Sequence, residues 1–349
     1  MDYQEQLYQL LGSTDEANVI LALEMAKGMP EFDLSEVLRD YQELYECLIG
    51  EITDEALQAA HIVALNQPEI DASNRDLTAI PPCINQLKHL QKLSLFDNCL
   101  TTLPETIGEL TNLIELNLGS NGLHSLPKSI GNLQNLQKLY AAWNQIDELP
   151  ASLAGLANLR ELNLRDNLLI EVPEWIGDLQ KLKILNLDEN NIASLPSGLG
   201  NLEHLTRLYL NYNMLIDFPE HMRNLTRLEI LCAYVNELVR LPDWLGDLES
   251  LQELYLSSNH LTSLPDSLRN LSQLEILYLS DNQLATLPTW LSVFQKLDTL
   301  SVSGNQLTTL PECLGDMYAL EMLDVRDNLL SLSEIRKIEN MTGLHHYFF

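Results

Sequence analysis

Positive charge is scarce in this chain: 20 lysines and arginines stand against 50 aspartates and glutamates over 349 residues, a formal net charge of −30 at pH 7. A surface of that sign repels phosphate backbones and anionic lipid headgroups, which argues against nucleic-acid binding and membrane insertion, and it draws basic partners inward. Cysteine is sparse too. The five present, Cys47, Cys83, Cys99, Cys232 and Cys313, are odd in number, scattered and without a CxxC pair. That usage points to reduced thiols and a cytoplasmic setting rather than a disulfide framework. No apolar run approaches the roughly 18 residues of a membrane span, and the start Met1-Asp2-Tyr3-Gln4-Glu5 lacks the basic and apolar regions of a secretion signal. Also missing are GxxxxGK[ST], GxGxxG, HExxH, GxSxG and an EF-hand loop. No cofactor, metal or catalytic residue is implied, and the chain reads as a non-enzymatic protein.

What is there is one phrase of sequence written again and again between Ile70 and Leu330. A single copy runs Leu93-Ser94-Leu95-Phe96-Asp97-Asn98-Cys99-Leu100, then Leu103-Pro104, Ile107-Gly108 and Leu110, and adding 23 to each number reaches the next copy. Asparagine recurs at Asn98, Asn121, Asn144, Asn167, Asn190, Asn213, Asn236, Asn259, Asn282, Asn305 and Asn328, and proline at the matching positions from Pro81 to Pro311. In Leu116-Asn117-Leu118 the side chains alternate with period two, as in a strand with one buried face. Each copy has to turn back within 23 residues and lay its next strand beside the last, which makes the sheet parallel and the leucines a continuous inner column. The asparagine falls where the chain leaves the strand. Its amide offers donors and an acceptor to turn groups that burial would leave unpaired, at about 1–3 kcal/mol each. Proline suits the returning segment because it fixes φ and needs no partner for an N–H.

The pattern L-x-x-L-x-L-x-x-N-x-L followed by L-P-x-x-I/L-G-x-L resembles the leucine-rich repeat family, and within it the 23-residue class of many bacterial proteins and of the plant intracellular and animal Ras-associated proteins. The resemblance implies an α/β solenoid: a right-handed curved array with its parallel β-sheet on the concave face. It also implies a protein partner, with a small GTPase among the partners the family suggests.

Three segments follow from composition. Residues 1–67 form an acidic, all-α N-terminal cap, residues 68–332 hold about twelve coils, and residues 333–349 form a C-terminal cap of a helix and a short extended segment. Residues 1–69 carry 15 acidic groups against Lys27 and Arg39 alone. Helices are expected from Asp2 to Leu11, from a Ser13 or Thr14 cap to Gly28, from an Asp33 cap through Leu34, Val37, Tyr41, Leu44 and Leu48, and from Asp54 to Leu65. The first coil is atypical, with Ala72 in a leucine slot and Arg75 in the asparagine slot. At the far end Glu334 replaces the repeat proline, and Ser333 is placed to cap a helix from Glu334 to about Asn340. Leu344 to Phe349 then reads as a last extended segment. A His345–His346 metal site is disfavoured, because neighbours in a strand face opposite ways.

Function is expected on the concave face, where strand residues outside the leucine column are free to vary. Two aromatic groups emerge there: Tyr140 with Trp143, and Tyr209, Tyr212, Tyr234, Tyr255 and Tyr278 around Cys232. Between them lie Arg165, Asp166, Asp188 and Glu189. Tyrosine and tryptophan bury much area with few rotatable bonds and keep a polar end, which suits binding hot spots. The expected activity is a scaffold binding a protein or peptide there, with Asp166, Asp188 and Glu189 selecting a basic element. Two alternatives are docking through the acidic helices with the repeats as a spacer, and a secreted, host-directed effector or surface protein. Trp175, Trp244 and Trp290, each two residues after a repeat proline, read as packing on the convex side.

Overall fold

The protein is represented by a computed structural model that describes residues 3–29, 33–52, 56–339 and 346–348. Its chain divides into two compact units, Met1–Leu159 and Arg160–Phe349. That division falls inside the repeats rather than at either end of them.

The first unit opens with four helices. These are α1 (Tyr3–Leu11), α2 (Glu16–Lys27), α3 (Leu34–Leu48) and α4 (Ala59–Leu65). Leu7, Leu11, Val19, Ala22, Leu44, Leu48, Ile62 and Leu65 make their common core. The Asp33 side chain caps α3 by accepting from the Glu36 amide, as the spacing predicts. Two expected caps shift. Asp15, not Ser13 or Thr14, accepts from the Ala17 amide at the start of α2, while Ser13 Oγ accepts from the Asp15 amide. The fourth helix starts at Ala59, five residues later than expected, because Gln58 and the His61 ring close a reciprocal cap there; Asp54 itself lies outside the described residues. Buried Asn66 donates to the carbonyls of Leu11 and Ser13 and so ties the end of α4 to the α1–α2 turn. Helix α3 packs against the short helical turn Pro82–Leu87 of the first coil.

The same unit holds strands β1 (Glu69–Asp71), β2 (Lys92–Ser94), β3 (Glu115–Asn117) and β4 (Lys138–Tyr140). They are parallel and in register, Ile70 beside Leu93 beside Leu116 beside Leu139. The second unit holds β5 (Glu161–Asn163), β6 (Ile184–Asn186), β7 (Arg207–Tyr209), β8 (Ile230–Cys232) and β9 (Glu253–Tyr255). It continues with β10 (Ile276–Tyr278), β11 (Thr299–Ser301), β12 (Met322–Asp324), helix α5 (Leu332–Glu339) and β13 (His346–Phe348). Strand order follows chain order in both. Each strand from β2 to β12 buries its central leucine and turns its two flanking residues to the open face of the sheet, and β1 buries Ile70 in the same way. A fully buried leucine contributes about 1.5–3 kcal/mol, so the column of leucines is the main apolar stabilisation of each unit.

After the strand the chain turns through a residue with φ between 52° and 63° in coil after coil, Asp97 and Trp143 in the first unit and Glu189, Tyr212, Val235 and Gly304 in the second. The asparagine comes next. In the second unit Asn213 Nδ2 reaches the carbonyls of Leu187 at 2.9 Å and of Leu210 and Asn211 at 3.2 Å, while its Oδ1 accepts from the Ile192 amide at 3.0 Å. In the first, Asn121 repeats the set with Leu95, Leu118, Gly119 and the Leu100 amide. The return segment passes the repeat proline, whose carbonyl accepts from the third residue on, Pro104 from Ile107 and Pro219 from Met222, and so starts a five-residue 3₁₀ turn. Gly108 belongs to such a turn, and a Cβ there would run into the Ser129 carbonyl of the next coil. Trp244 is buried in these turns, and Trp290 donates its indole N–H to Asp266 and meets the Phe294 ring edge-on.

The two ends differ from the repeats in kind. Arg75, in the asparagine slot of the first coil, sends its guanidinium to the carbonyls of Cys47 and Ile49 at the end of α3. At the other end Ser331, not Ser333, accepts from the Glu334 amide, and α5 opens at Leu332, two residues earlier than expected. Strand β13 then pairs with β12, His346 beside Met322; Asn340, Leu344, His345 and Phe349 lie outside the described residues.

Two outcomes follow. Asn213→Ala strips partners from several buried backbone groups and should lower the stability read from the urea midpoint by about 1–3 kcal/mol for each group left bare. Val235→Asn relieves a β-branched side chain held at φ 54° and should raise stability by about 1 kcal/mol, with unchanged circular dichroism.

Candidate recognition surface

Tyr140 and Trp143 lie in the first unit. Tyr140 is half-buried on β4, and Trp143 occupies the left-handed corner, 47% exposed, with its ring edge against Phe96 at a centroid distance of 6.4 Å. On the same face, Lys92 pairs with Glu69 at 2.6 Å and Lys138 with Glu115 at 3.9 Å, so charges alternate in sign across β1 to β4.

The other nine candidates lie in the second unit, and the structure sorts them by side-chain fate. Arg165 pairs with Glu189 at 2.5 Å, so that carboxylate is already matched. Asp188, expected to meet a basic partner, is buried instead. Its Oδ1 accepts from the Asn211 amide at 2.7 Å, and the Asn211 Oδ1 in turn accepts from the Tyr234 amide at 3.0 Å. Burial raises the Asp188 pKa above its ordinary 3.8, with the Asn211 hydrogen bonds and Arg165 pulling the other way. Asp166 is exposed at the corner, with φ 52°.

The tyrosines form two pairs. Tyr212 and Tyr234 meet edge-on at 5.2 Å, and Tyr255 stacks on Tyr278 at 5.3 Å with 19° between the rings. Tyr209, Cys232 and Tyr255 are neighbours in register on β7, β8 and β9. The small thiol is buried between the two ring-bearing positions. Burial pushes the Cys232 thiol up to about 12, with Asp188 and Glu253 adding to it. Burial likewise raises the Tyr209, Tyr234 and Tyr255 hydroxyls, and Tyr255 also donates to Glu253 at 2.8 Å. Glu253 is not among the residues singled out from the sequence. Alternation points to it all the same, since it sits two residues before Tyr255 and therefore on the same face. Among the described residues no three metal-binding side chains converge, and no helix is long and apolar enough to cross a membrane.

Comparison with known proteins agrees with this geometry. Leucine-rich repeat family models match residues 88–146 and 111–169, a leucine-rich repeat region 151–254, a two-copy leucine-rich repeat 249–292, and a single repeat 296–317. A leucine-rich repeat protein of Leptospira interrogans of known structure is 30% identical, with 91% of this chain and 98% of that one covered and a TM-score of 0.60. An internalin of Listeria monocytogenes shares the fold at 24% identity, 90% and 88% coverage and a TM-score of 0.78. The ectodomain of the Arabidopsis thaliana receptor kinase GASSHO1/SCHENGEN3, solved in complex with CASPARIAN STRIP INTEGRITY FACTOR 2, is 29% identical over 80% of this chain, with a TM-score of 0.65. This chain spans 38% of that one. No curated protein sequence gives a significant match. The chain belongs to the leucine-rich repeat family.

The buried carboxyl makes a pH prediction. A folded-state pKa above 3.8 means the native state holds the Asp188 proton longer than the unfolded chain. Stability is therefore lost as pH climbs from 3.8 through the higher folded-state value. Asp188→Asn keeps an oxygen for the Asn211 amide and removes the ionisation, so its urea midpoint should exceed that of the wild type at pH 7, with the gap closing below pH 3.8. A gap that does not change with pH would contradict this.

Proposed function

We propose that this protein is a non-enzymatic cytosolic scaffold that binds another protein or peptide on the open face of β5 to β10. One observation carries the reading: five tyrosines stand on that face although the core is filled by the leucine column. Tyr212 is held at φ 52°, a conformation that costs a bulky residue about 1 kcal/mol or more. A residue kept at such a cost is better explained by what it contacts from outside than by what it does for the fold. The arrangement suits a partner that covers the stacked rings of Tyr255 and Tyr278 and the edge-on pair of Tyr212 and Tyr234. Glu189 is paired and Asp188 buried, so the basic element of the partner is met by Asp166 and by Glu253 beside Tyr255. The Arabidopsis receptor ectodomain, solved with its factor bound, supports a peptide or protein partner, and a small GTPase is one such partner by family resemblance. Tyr140 and Trp143 offer a second aromatic patch in the first unit.

A second reading has its own observation. On α1 and α2, Tyr3, Tyr8, Ile20 and Leu21 are 46–73% exposed amid acidic residues, which suits docking by the helical segment.

Affinity capture with the full chain and with Tyr209→Ala/Tyr255→Ala, read by mass spectrometry, separates the two. The open-face reading expects the captured partner to drop by about tenfold or more while the fold is retained and the melting temperature falls by only a few degrees, as loss of the Tyr255 stacking and hydrogen bond implies. Equal capture by the double variant removes the open-face assignment, and capture that instead falls in Ile20→Ser/Leu21→Ser moves it to the helices.

A further inference from the structure

The second unit carries another surface that neither the leucine column nor the open face explains. It lies along the edge where the chain leaves the asparagine ladder. One residue after the asparagine come Leu168 and Met214, 48% and 52% exposed; three residues after it come Ile170, Ile216 and Val239, 67%, 58% and 51% exposed. Backbone bonds hold these edge segments side by side, from the Asn191 amide to the Leu169 carbonyl, Met214 to Ile192 and Glu237 to Leu215. Like positions therefore stack into columns, and Ile170, Ala193, Ile216 and Val239 make one apolar row over four coils. At about 4.8 Å per coil the row is on the order of 14 Å long.

The fold does not require apolar residues there. Further along the same unit the equivalent positions hold His260 and Gln283, and then Thr262 and Thr308, with the same edge bonds from His260 to Leu238 and from Gln283 to Leu261. Large side chains about half exposed or more, grouped on neighbouring coils, are the mark of a contact surface rather than of chance exposure. The rim of the row is acidic. Glu171 and Asp217 directly follow Ile170 and Ile216, Glu237 lies two residues before Val239, and Arg240 is the one cation in these edge segments. A shallow groove of about 360 Å³ adjoins its end, lined by Asp217, Glu220 and Asp243 around Arg240 and Trp244.

We propose that this edge docks a short segment of another protein that presents a row of apolar side chains flanked by lysine or arginine. Charge selects that occupant. A second copy of this chain, at −30 net charge, would set one acidic rim against another, whereas a basic flank meets Glu171, Asp217 and Asp243, Glu237 and Glu220 being already engaged by His260 and Arg223. The row matches two to three helical turns of about 5.4 Å. This surface begins beyond the ladder asparagine, Met214 lying two residues after the corner Tyr212.

The test uses the full chain and two synthetic probes, an amphipathic peptide of leucine and lysine and a control with serine in place of leucine at equal charge. Titration calorimetry on the wild type should show the leucine peptide binding about tenfold tighter or better. Leu168→Ser/Ile170→Ser/Met214→Ser/Ile216→Ser changes only exposed positions of a kind that tolerates polar residues elsewhere. It should keep its circular dichroism and lose that preference, while Tyr209→Ala/Tyr255→Ala keeps it. No preference in the wild type, or a preference unchanged in the edge variant, overturns the proposal. So does sedimentation showing a dimer that the edge variant abolishes, since the edge would then belong to a second copy.

Discussion

The repeats depend on a carboxamide placed where each coil after the first leaves its strand. The turn there is too tight to keep its peptide groups paired through backbone alone, and it is buried too deeply for water to reach them. Asn213 settles groups from two consecutive coils at once, and its counterparts, most of them less than a tenth exposed, do the same in turn. Leucine packing supplies most of the free energy, but it is non-directional and tolerates slippage. Hydrogen bonds of fixed reach forbid it. The asparagines therefore set the register, and the register aligns the open-face slots and the edge columns into surfaces.

The surfaces inherit their logic from this. Because the interior is satisfied by leucine and asparagine, the residues that flank each strand leucine are released from folding duties. The same holds for the corner and for the edge beyond it. In the second unit these released positions hold an ion pair at Arg165 and Glu189, a buried polar chain from Asp188 through Asn211 to Tyr234, and two tyrosine pairs. The polar chain links three consecutive coils from the open side of the sheet, beside the tyrosines.

The 23-residue period made the coil, the parallel sheet and the asparagine ladder legible from residue types alone, because each slot has one physical job and few residues can do it. The slots of the candidate surface were legible for the same reason. The fate of their side chains was not: nothing in the sequence tells that Asp188 turns to a neighbouring amide or that Glu189 finds Arg165, since both depend on the coil next door. The left-handed corner was also hidden. Its occupants include tryptophan, tyrosine and valine, which carry no preference for positive φ. Helix α3 was readable from Asp33 onward because an aspartate cap and an amphipathic stripe agree. The start of α4 was not, because a glutamine and a histidine ring close it in place of the acidic residues upstream.

Arg75 stands in the first coil where a carboxamide stands in the coils that follow, and its guanidinium, all donors and no acceptor, takes up the carbonyls that end α3. A ladder needs an oxygen at that point to receive an amide from a preceding turn, and here there is none. The chemistry thus writes a full stop at one end of the series: further coils stacked ahead of this one would find no socket. At this end the ladder is closed by a residue's bonding capacity rather than by a lack of apolar side chains.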